Sequence, residues 1–285
     1  KEAAVQAVLD QHLEVIEQLQ NEIICRVKKN QPHLLPLSSL KCRQQPTTMG
    51  TLIANAIRCE LAVECALING ASIGGNREYE DAKVSFHNLK LELPFPTKII
   101  SVQMAGRDIA EAVRYSRTSE EQRGFLQCDD RIKCAEDGIT VIEVAGKPLE
   151  EERVYEVALP RNLLKGFAKV QPLIEWGDAH ADSLPGEEDY QTAYALVVQH
   201  FAMAMWLSLG DFKDLDLDHN GVLDREEVRA AVEAKIRRDP SKTLVQAMMN
   251  ALDENGDGEI SLVEFGVLRD KYLPQLRAEA KKGHS

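Results

Sequence analysis

Apolar positions near the start of the chain recur at the spacing of a helix. From about Ala3 to Val27, apolar side chains follow one another mostly at steps of three and four, and Gln and Glu fill most positions between them. This period predicts a long amphipathic helix, because residues at that spacing lie on one helical face. The helix either packs on its own domain or docks on something that precedes it in the chain.

The pattern changes in the middle of the chain. Prolines between residues 31 and 48 indicate an irregular segment, since proline fixes φ and removes a backbone donor. Ala66–Ile68 is a short apolar run that leads into Asn69-Gly70, a turn signal. The periodicities that follow predict helices at Gly50–Leu61 and Asp108–Ser116, and strands at Lys98–Met104, Gly138–Val144 and Val154–Leu159. This mixture predicts an α+β domain over residues 31–180.

Helical patterns return in the last third of the chain. Gly177–Glu187 is rich in Asp, Gly and Pro and predicts a linker. Tyr190–Leu209 is strongly apolar and predicts a helix, and a helix–loop–helix–loop–helix pattern occupies the remainder. The predicted domains are an amphipathic linker helix over residues 1–30, the α+β domain over 31–180 and an all-α domain over 187–285.

Charge and cysteine content limit the possible partners and location. The net charge of -12 argues against nucleic acid as a partner, because a nucleic-acid binder needs a basic face, and it is compatible with cation binding. No apolar run is long enough to span a bilayer. The six cysteines form no CxxC pair and predict free thiols in a cytoplasmic protein, with three disulfides as the alternative. The start at Lys1 indicates a fragment or a processed form.

Two segments near the C-terminus carry oxygen-bearing side chains at one shared spacing. Both have the form D-x-[DN]-x-[DN]-G-x-x-x-x-x-E, which is the calcium loop of an EF-hand. The predicted ligands are Asp216, Asp218, Asn220, Val222, Asp224 and Glu227 in the first loop, and Asp253, Asn255, Asp257, Glu259, Ser261 and Glu264 in the second. Val222 and Glu259 contribute backbone carbonyls, and the ninth position often acts through water.

These residue types fit calcium, a hard cation that takes about six to eight oxygen ligands. Gly221 and Gly258 occupy the sixth position, where the backbone must turn with φ > 0. The glutamate at the twelfth position is bidentate and discriminates against magnesium, which accepts fewer protein ligands. Leu223 and Ile260, at the eighth position, suit the short strand pair that joins two loops. The sequence therefore predicts an EF-hand pair with two calcium ions.

The helices around the loops leave two roles open for the pair. They are predicted at Gln191–Leu215, Arg225–Arg238, Lys242–Leu252 and Leu262–Tyr272. The helices that enter the loops contain Met203, Met205, Met248 and Met249. Flexible methionines suit a groove that opens on calcium and binds a protein partner, as in a sensor. Alternatively they fill a core, and Trp206 with its neighbours packs permanently on the first domain, as in a static brace.

Four short segments of the α+β domain carry motifs. They are Thr48–Ala56 (TMGTLIANA), Asn69–Ile73 (NGASI), Leu93–Phe95 (LPF) and Gly124–Gln127 (GFLQ). In order and spacing they resemble the N-x-G-N-L-I-x-D-A, N-G-G-x-I-R, L-P-F and G-x-F-L-Q motifs of the C-terminal, substrate-recognition domain of the 5′-nucleotidase family. The resemblance covers roughly half the chain and implies the fold of that domain.

The resemblance also implies a nucleoside site. Phe95 matches one of two aromatics that sandwich the base, Asn69 matches a polar contact to the base, and Arg43 falls where an arginine meets the substrate. A purine suits such a sandwich because both of its faces are flat and polarizable. Two departures weaken the match. Gly74 replaces the arginine of the second motif, and G-G-D-G-[FY], which brings the second aromatic, is absent, with Phe167 as the nearest substitute.

No catalytic residue is assigned within this chain. In the 5′-nucleotidase family, an N-terminal domain supplies two metal ions through D-x-H, G-N-H-[DE] and H-x-H motifs. Asp178-Ala179-His180 spells D-x-H but has no partner motif, and we interpret it as linker. One hypothesis is a calcium-binding regulatory or interaction protein with a non-catalytic 5′-nucleotidase C-terminal-like domain. The other is the recognition and calcium-control part of a larger metallophosphohydrolase whose catalytic domain precedes Lys1, so whether the parent is an enzyme stays open.

Overall fold

The computed structural model describes residues 22–118, 124–186 and 190–268. Among these residues the strands are β1 (Ile23–Arg26), β2 (Leu37–Ser38), β3 (Cys65–Asn69), β4 (Glu78–Tyr79), β5 (Lys83–Ser85), β6 (Lys98–Ala105), β7 (Leu126–Cys128), β8 (Lys133–Cys134), β9 (Val141–Val144), β10 (Lys147–Pro148), β11 (Val154–Pro160), β12 (Gln191–Thr192), β13 (Val222–Leu223) and β14 (Ile260–Ser261). The helices are α1 (Thr48–Glu60), α2 (Phe86–Glu92), α3 (Gly106–Thr118), α4 (Gln171–Ala179), α5 (Ala193–Leu209), α6 (Phe212–Leu215), α7 (Arg225–Ile236), α8 (Lys242–Leu252) and α9 (residues 262–268).

The chain divides into two compact units, each built from separate stretches of sequence. Of the described residues, unit A contains 32–82, 90–118, 124–186 and 190–197, and unit B contains 22–31, 83–89 and 198–268. The chain passes from one unit to the other within α2 and within α5. The sequence predicts contiguous domains over 1–30, 31–180 and 187–285, whereas the pairing of β1 with β5 brings two distant segments into unit B.

The predicted N-terminal helix is wrong at its C-terminal end. Residues Ile23–Arg26 form β1, which pairs antiparallel with β5 and places Arg26 opposite Lys83. Two consecutive isoleucines suit a strand, because β-branched side chains pack well on a pleated surface. A partner far away in sequence supplies the pairing that the local period does not reveal. Residues 3–21 of the predicted helix lie outside the described residues.

A five-stranded sheet organises unit A. Its strand order is β12–β6–β11–β3–β7, with β11 and β3 parallel and the other neighbours antiparallel. All five residues of β3 are buried, as expected for a strand covered on both faces. Because β3 and β11 are parallel, their carboxyl ends at Asn69 and Pro160 lie at one edge of the sheet. Ligands of such sheets commonly bind at that edge.

Most elements predicted for unit A are confirmed. Helix α1 begins after Thr47, whose Oγ1 accepts a hydrogen bond from Gly50 N at 3.1 Å and caps the helix. The predicted linker Gly177–Glu187 is wrong at its start, since α4 continues through Ala179.

The strand predicted from Gly138 begins only at Val141. A turn precedes it, because Asp137 Oδ1 accepts hydrogen bonds from Ile139 N at 2.8 Å and from Thr140 N at 2.9 Å. These side-chain contacts satisfy backbone donors that would otherwise need a partner strand.

The helix predicted over Gln191–Leu215 is a short strand and two helices. Gly210 separates α5 from α6 with a φ of 127°, a conformation that glycine adopts without steric cost. Helix α7 ends at Ile236, because Arg237 takes a left-handed conformation with φ 60°. Helix α8 has the predicted bounds.

Two further expectations concern cysteines and membranes. All six cysteines lie in the described ranges and are free thiols in this structure. Across those same ranges, no helix is long and apolar enough to cross a membrane.

Candidate functional sites

The first predicted calcium loop folds around the carboxylate of Asp216. Gly221 N donates to its Oδ2 at 3.1 Å, and Asn220 N donates to its Oδ1 at 3.2 Å. The turn is left-handed at Gly221, with φ 90°. One carboxylate oxygen from each of Asp216, Asp218 and Glu227 lies within 4.8 Å of the other two. Like charges this close repel one another, and a bound cation would relieve the repulsion.

Glu227 closes the first loop from the start of α7. Asp224 caps this helix, because its Oδ1 accepts hydrogen bonds from Glu226 N and Glu227 N, each at 2.9 Å. The Glu227 carboxylate reaches back to accept from Asp224 N at 3.1 Å and from Leu217 N at 2.7 Å. The ninth and twelfth loop positions therefore form a capping box, and the helix start places the last ligand opposite the first.

The second loop repeats this arrangement. Gly258 N donates to Asp253 Oδ2 at 3.0 Å. Glu264 accepts from Glu254 N at 3.1 Å and from Ser261 N at 2.9 Å. Burial acts to raise the pKa of Glu264, but hydrogen bonds from the Ser261 backbone and hydroxyl and from nearby backbone amides outweigh it and lower the pKa. Glu264 is therefore a carboxylate at neutral pH.

The donor atoms of both loops suit calcium. Every side chain at a predicted ligand position ends in a carboxylate, an amide or a hydroxyl, and the seventh position offers a backbone carbonyl. Calcium prefers such oxygen donors, whereas zinc and copper favour nitrogen and sulfur. The residues present therefore fit calcium.

Two short strands join the loops. Val222 lies opposite Ser261 and Leu223 opposite Ile260 in the antiparallel pair β13–β14. Leu223 and Ile260 are fully buried, as predicted for the eighth position. The two loops therefore share one antiparallel strand pair.

The helices of the EF-hand pair pack around Trp206. This residue is fully buried, and its Nε1 donates to Met248 O at 2.8 Å. The Trp206 and Phe265 rings pack in a T-shaped arrangement with a centroid distance of 5.8 Å. The Phe265 and Phe212 rings do the same with a centroid distance of 5.5 Å. The indole of Trp206 thus contacts α8 and α9 from its place on α5, and a shift among these helices would change its environment.

The methionines of the entering helices belong to this core. Met203, Met248 and Met249 are buried, and Met205 is half-buried. In this structure they fill space between helices, which is the alternative to an open methionine groove that the sequence left unresolved.

In unit A, the motif residue Gln127 joins two of the four segments. Its Nε2 donates to Cys42 O at 2.6 Å and to Gln45 O at 2.7 Å, and its Oε1 accepts from Thr47 N at 2.8 Å. A Cβ on Gly50 would lie 2.3 Å from Gln127 Oε1, so only glycine allows this approach. The glycine of the first motif and the glutamine of the fourth therefore specify one packing arrangement.

The second motif contacts the third and the fourth. Asn69 lies opposite Leu126 in the β3–β7 pair, and Gly70 N donates to Phe125 O at 2.8 Å. A Cβ on Gly74 would lie 3.0 Å from Pro94 Cγ, which shows how closely these segments approach. Close contacts thus connect all four motif segments.

Asn69, a predicted base contact, is completely buried. Its Oδ1 accepts from Ser72 Oγ at 2.7 Å, and Ser72 Oγ accepts from Thr97 Oγ1 at 3.3 Å. Its Nδ2 is buried and has no hydrogen-bond partner in the described part of the chain. In this structure Asn69 supports the turn after β3, and its amide keeps one unused donor.

The other predicted substrate residues lie at the surface. Arg43 is exposed, Phe95 is 54% exposed and Phe167 is 47% exposed. Phe95 therefore presents an aromatic face to solvent instead of packing in the core. Residues Ala168 and Lys169 take left-handed conformations with φ 64° and 53°. Left-handed conformations cost these two residues about 1–2 kcal/mol each, because neither is glycine.

The Asp178-Ala179-His180 segment has a structural explanation. The His180 ring stacks on Trp176 at a centroid distance of 4.2 Å, and its Nδ1 lies 2.8 Å from Trp176 O. Over the described ranges, no group of three close metal-ligating side chains includes Asp178 or His180.

Sequence reasoning missed a buried acid beside the third motif. Glu92 is fully buried and accepts from Tyr79 Oη at 2.6 Å, from Ser39 Oγ at 2.8 Å and from Gly75 N at 3.1 Å. Burial raises the pKa of Glu92, and these hydrogen bonds partly offset the effect. Glu92 fixes the end of the loop that starts at Asn69. The residues around it gave no signal, because an acid on a short helix is usually solvated.

Two family models match different parts of this chain. Residues 24–173 match the family model of the 5′-nucleotidase C-terminal domain, and residues 211–265 match that of an EF-hand domain pair. The chain is 29% identical over 124 residues to a 15 kDa calcium-binding protein of Hemicentrotus pulcherrimus, a match that covers 44% of this chain and 72% of that protein.

Solved structures of larger enzymes are also similar. The 5′-nucleotidase precursor of Thermus thermophilus is 20% identical with a TM-score of 0.43, and the match covers 60% of this chain and 36% of that one. The NAD nucleotidase of Haemophilus influenzae is 13% identical with a TM-score of 0.45, and the match covers 67% of this chain and 36% of that one. The chain thus spans roughly a third of the length of these enzymes.

Proposed function

We propose that this chain, which belongs to the 5′-nucleotidase C-terminal domain family and carries a calcium-binding EF-hand pair, is a calcium-responsive regulatory or interaction protein. Each loop would hold one calcium ion. The supporting observation is the shared scaffold of the loops, in which the glutamate at position twelve accepts amides from positions two and nine of its own loop. In both loops the side chain of the twelfth residue is therefore held in place by its own loop. No residue of this chain is assigned to catalysis.

Calcium would stabilise the folded EF-hand pair in two ways: it would neutralise the clustered carboxylates, and it would bind only the folded state. The clustered carboxylates of the first loop destabilise the fold until a cation neutralises them. A ligand that binds only the folded state raises its stability, by about 2.7 kcal/mol at a hundredfold excess over Kd. Because β13 and β14 pair the loops, occupation of one would favour occupation of the other.

Calorimetric titration of the full chain with calcium tests this proposal. We expect two ions to bind, and we expect Glu264→Gln to remove one of them. Glu254→Gln is the matched control, because Glu254 is an exposed acid of the same loop and is not a predicted ligand. A wild-type chain that takes up no calcium would overturn the proposal, and a single bound ion would restrict it to one loop.

Trp206 distinguishes a sensor from a static brace. The chain has two tryptophans, so Trp176→Phe isolates the emission of Trp206. If calcium regulates the protein, saturation should shift that emission and change hydrogen exchange over Met203–Met205. If calcium binds but changes neither the Trp206 emission nor the hydrogen exchange, the ion has only a structural role. In that case the regulatory part of the proposal would be wrong. A protein partner at the EF-hand pair is expected only for the sensor.

A second candidate function is substrate recognition for a larger 5′-nucleotidase-like metallophosphohydrolase under calcium control. The exposed rings of Phe95 and Phe167 and the unused amide donor of Asn69 favour it. Calorimetry with adenosine and with AMP tests it, and Phe95→Ala should weaken binding at least about tenfold, or about 1.4 kcal/mol. Absence of heat with both ligands would exclude a base site. Two-metal hydrolysis would come from a separate domain, so this chain alone should release no phosphate from AMP.

A cytoplasmic location forms part of the first proposal. The free thiols of all six cysteines support it, because oxidising compartments favour disulfides. Fractionation of cells with antibody detection would test it, and recovery in the secreted fraction would contradict it.

A further inference from the structure

Unit B contains a two-stranded ribbon besides the EF-hand pair. We define the ribbon as residues 22–31 and 83–89, in which β1 and β5 pair antiparallel. Its apolar side chains at Ile24, Val84, Phe86 and Leu89 are at most 5% exposed. An isolated two-stranded ribbon is marginally stable in water and cannot bury its own side chains. The ribbon therefore needs neighbouring segments of the chain for its burial.

A buried carboxylate ties the ribbon to the EF-hand pair. Glu22 is 2% exposed, and its backbone carbonyl accepts from Phe86 N at 3.1 Å, which joins the two ribbon segments. Its Oε1 accepts from Arg238 Nη2 at 2.9 Å, and its Oε2 accepts from Ser241 N at 2.8 Å. A buried charge is costly unless such partners satisfy it, so this contact is specific in geometry as well as in charge.

Both partners of Glu22 lie in the linker between the two EF-hands. Arg237 ends α7, the helix that leaves the first loop, and Ser241 caps α8, the helix that enters the second. Ser241 Oγ accepts from Leu244 N at 3.1 Å while its own N–H donates to Glu22. The carboxylate thus lies at the positive end of α8, where the helix dipole stabilises a negative charge. The direction in which α8 leaves the linker depends on this contact.

We propose that the ribbon is the built-in partner of the EF-hand pair, and that Glu22 is the latch through which ribbon docking and calcium binding favour each other. This inference rests on the proposed calcium response. Calcium fixes the loops at the far ends of α7 and α8, and the latch fixes the linker at their near ends. Two events that stabilise one arrangement of the helices are coupled, and the coupling is reciprocal.

Cys25 provides a native reporter for docking of the ribbon. It lies in β1 and is half-buried, and burial raises the pKa of its thiol to about 12. The other five cysteines lie in unit A. A thiol reacts with iodoacetamide as the thiolate, so undocking of the ribbon should accelerate alkylation of Cys25. Peptide mass spectrometry separates Cys25 from Cys134, a half-buried cysteine of unit A that serves as internal control.

The first experiment uses the unmodified chain with and without calcium. We expect calcium to slow alkylation of Cys25 by roughly five- to tenfold and to leave Cys134 unchanged, which is the size of ordinary coupling between sites. Calcium that binds in calorimetry but leaves the Cys25 rate unchanged overturns this inference and spares the proposed function. A chain that binds no calcium would overturn both this inference and the proposed function.

The second experiment removes the latch charge in Glu22→Gln. We expect calcium affinity to fall roughly fivefold and calcium protection of Cys25 to decrease together, because the coupling acts in both directions. Glu233→Gln is the matched control, since Glu233 is an exposed acid on α7. A Glu22→Gln chain with wild-type calcium affinity and wild-type protection of Cys25 would show that Glu22 is only a structural contact.

Discussion

The EF-hand loops and the motif segments of unit A use their motif residues in opposite ways. In the loops, carboxylates such as Asp216 and Glu227 converge on one point and keep oxygen atoms for a cation. In unit A, the side chain of the motif residue Gln127 forms hydrogen bonds with backbone groups. The side chain of Asn69 is buried and accepts a hydrogen bond from Ser72 in the turn that follows it. A motif match therefore predicts ligand chemistry in one region and packing in the other. The difference lies in what the polar side chains face: the loop carboxylates lie close to one another, whereas the Gln127 amide bonds to backbone groups of other segments.

The largest expected effect comes from replacing the glutamate at the twelfth position of both loops. In a Glu227→Gln, Glu264→Gln variant, we expect calcium affinity to fall about a hundredfold per loop, or about 5 kcal/mol over both, because a bidentate carboxylate is lost twice. The rise in Tm on adding calcium should disappear. Glu226→Gln with Glu254→Gln is the control, since both acids are exposed in the same loops and neither is a predicted ligand. A double variant that still gains Tm with calcium would refute the ligand assignment.

The packing role of the unit A motifs predicts a large loss of stability without any ligand. Gln127→Ala leaves Cys42 O, Gln45 O and Thr47 N without their partner, which should lower the free energy of unfolding by about 4 kcal/mol. Urea unfolding in saturating calcium measures it. Gln103→Ala, at an exposed position of β6, should change stability by less than about 0.5 kcal/mol. Equal effects of the two variants would contradict a packing role for the motif.

In unit A, the contribution of Asp129 to the free energy of unfolding should depend on pH. Burial raises the pKa of Asp129 from 3.8 to about 6, and the nearby Arg58 guanidinium offsets part of the rise. The folded state therefore binds this proton more tightly than the unfolded state, so the contribution of Asp129 to stability falls as pH rises from about 4 to about 6. The loss amounts to roughly 3 kcal/mol.

Unfolding of wild type and of Asp129→Asn across that pH range measures the contribution. The stability of wild type relative to the variant should fall with rising pH. Asp182→Asn, at an exposed position of unit A, is the control for removal of one acidic group. Parallel curves for wild type and Asp129→Asn would mean that this carboxyl titrates alike in both states.

The smallest expected effect concerns Phe95. Because this ring is 54% exposed, Phe95→Ala should change the free energy of unfolding by less than about 0.5 kcal/mol. Phe125→Ala, at a ring that is 7% exposed, should cost about 3–5 kcal/mol and serves as the buried comparison. A large loss of stability in Phe95→Ala would place this ring in the core and remove the main support for a base site.

Elements with a clear local pattern were predictable from the sequence. Helix α8 has the predicted bounds, and β6 begins at the predicted residue, because apolar periodicity and a serine cap mark them locally. The two loops fold as their spacing indicates. The predicted helix through Ile23–Arg26 fails because the partner strand β5 lies far away in sequence. Glu22 and Glu92 gave no signal, since the burial of each depends on residues from other segments.

The sequence by itself determined the calcium chemistry, because all ligands of an EF-hand lie within one short loop and the order of residue types fixes their positions. It also determined the family of unit A, through four motifs that occur in the order and spacing of that family. Only the tertiary structure decided which motif residues are free to bind a ligand. It also brought Glu22 to the linker between the EF-hands. Burial and pairing across long sequence separations depend on how the whole chain packs, and no local pattern encodes them.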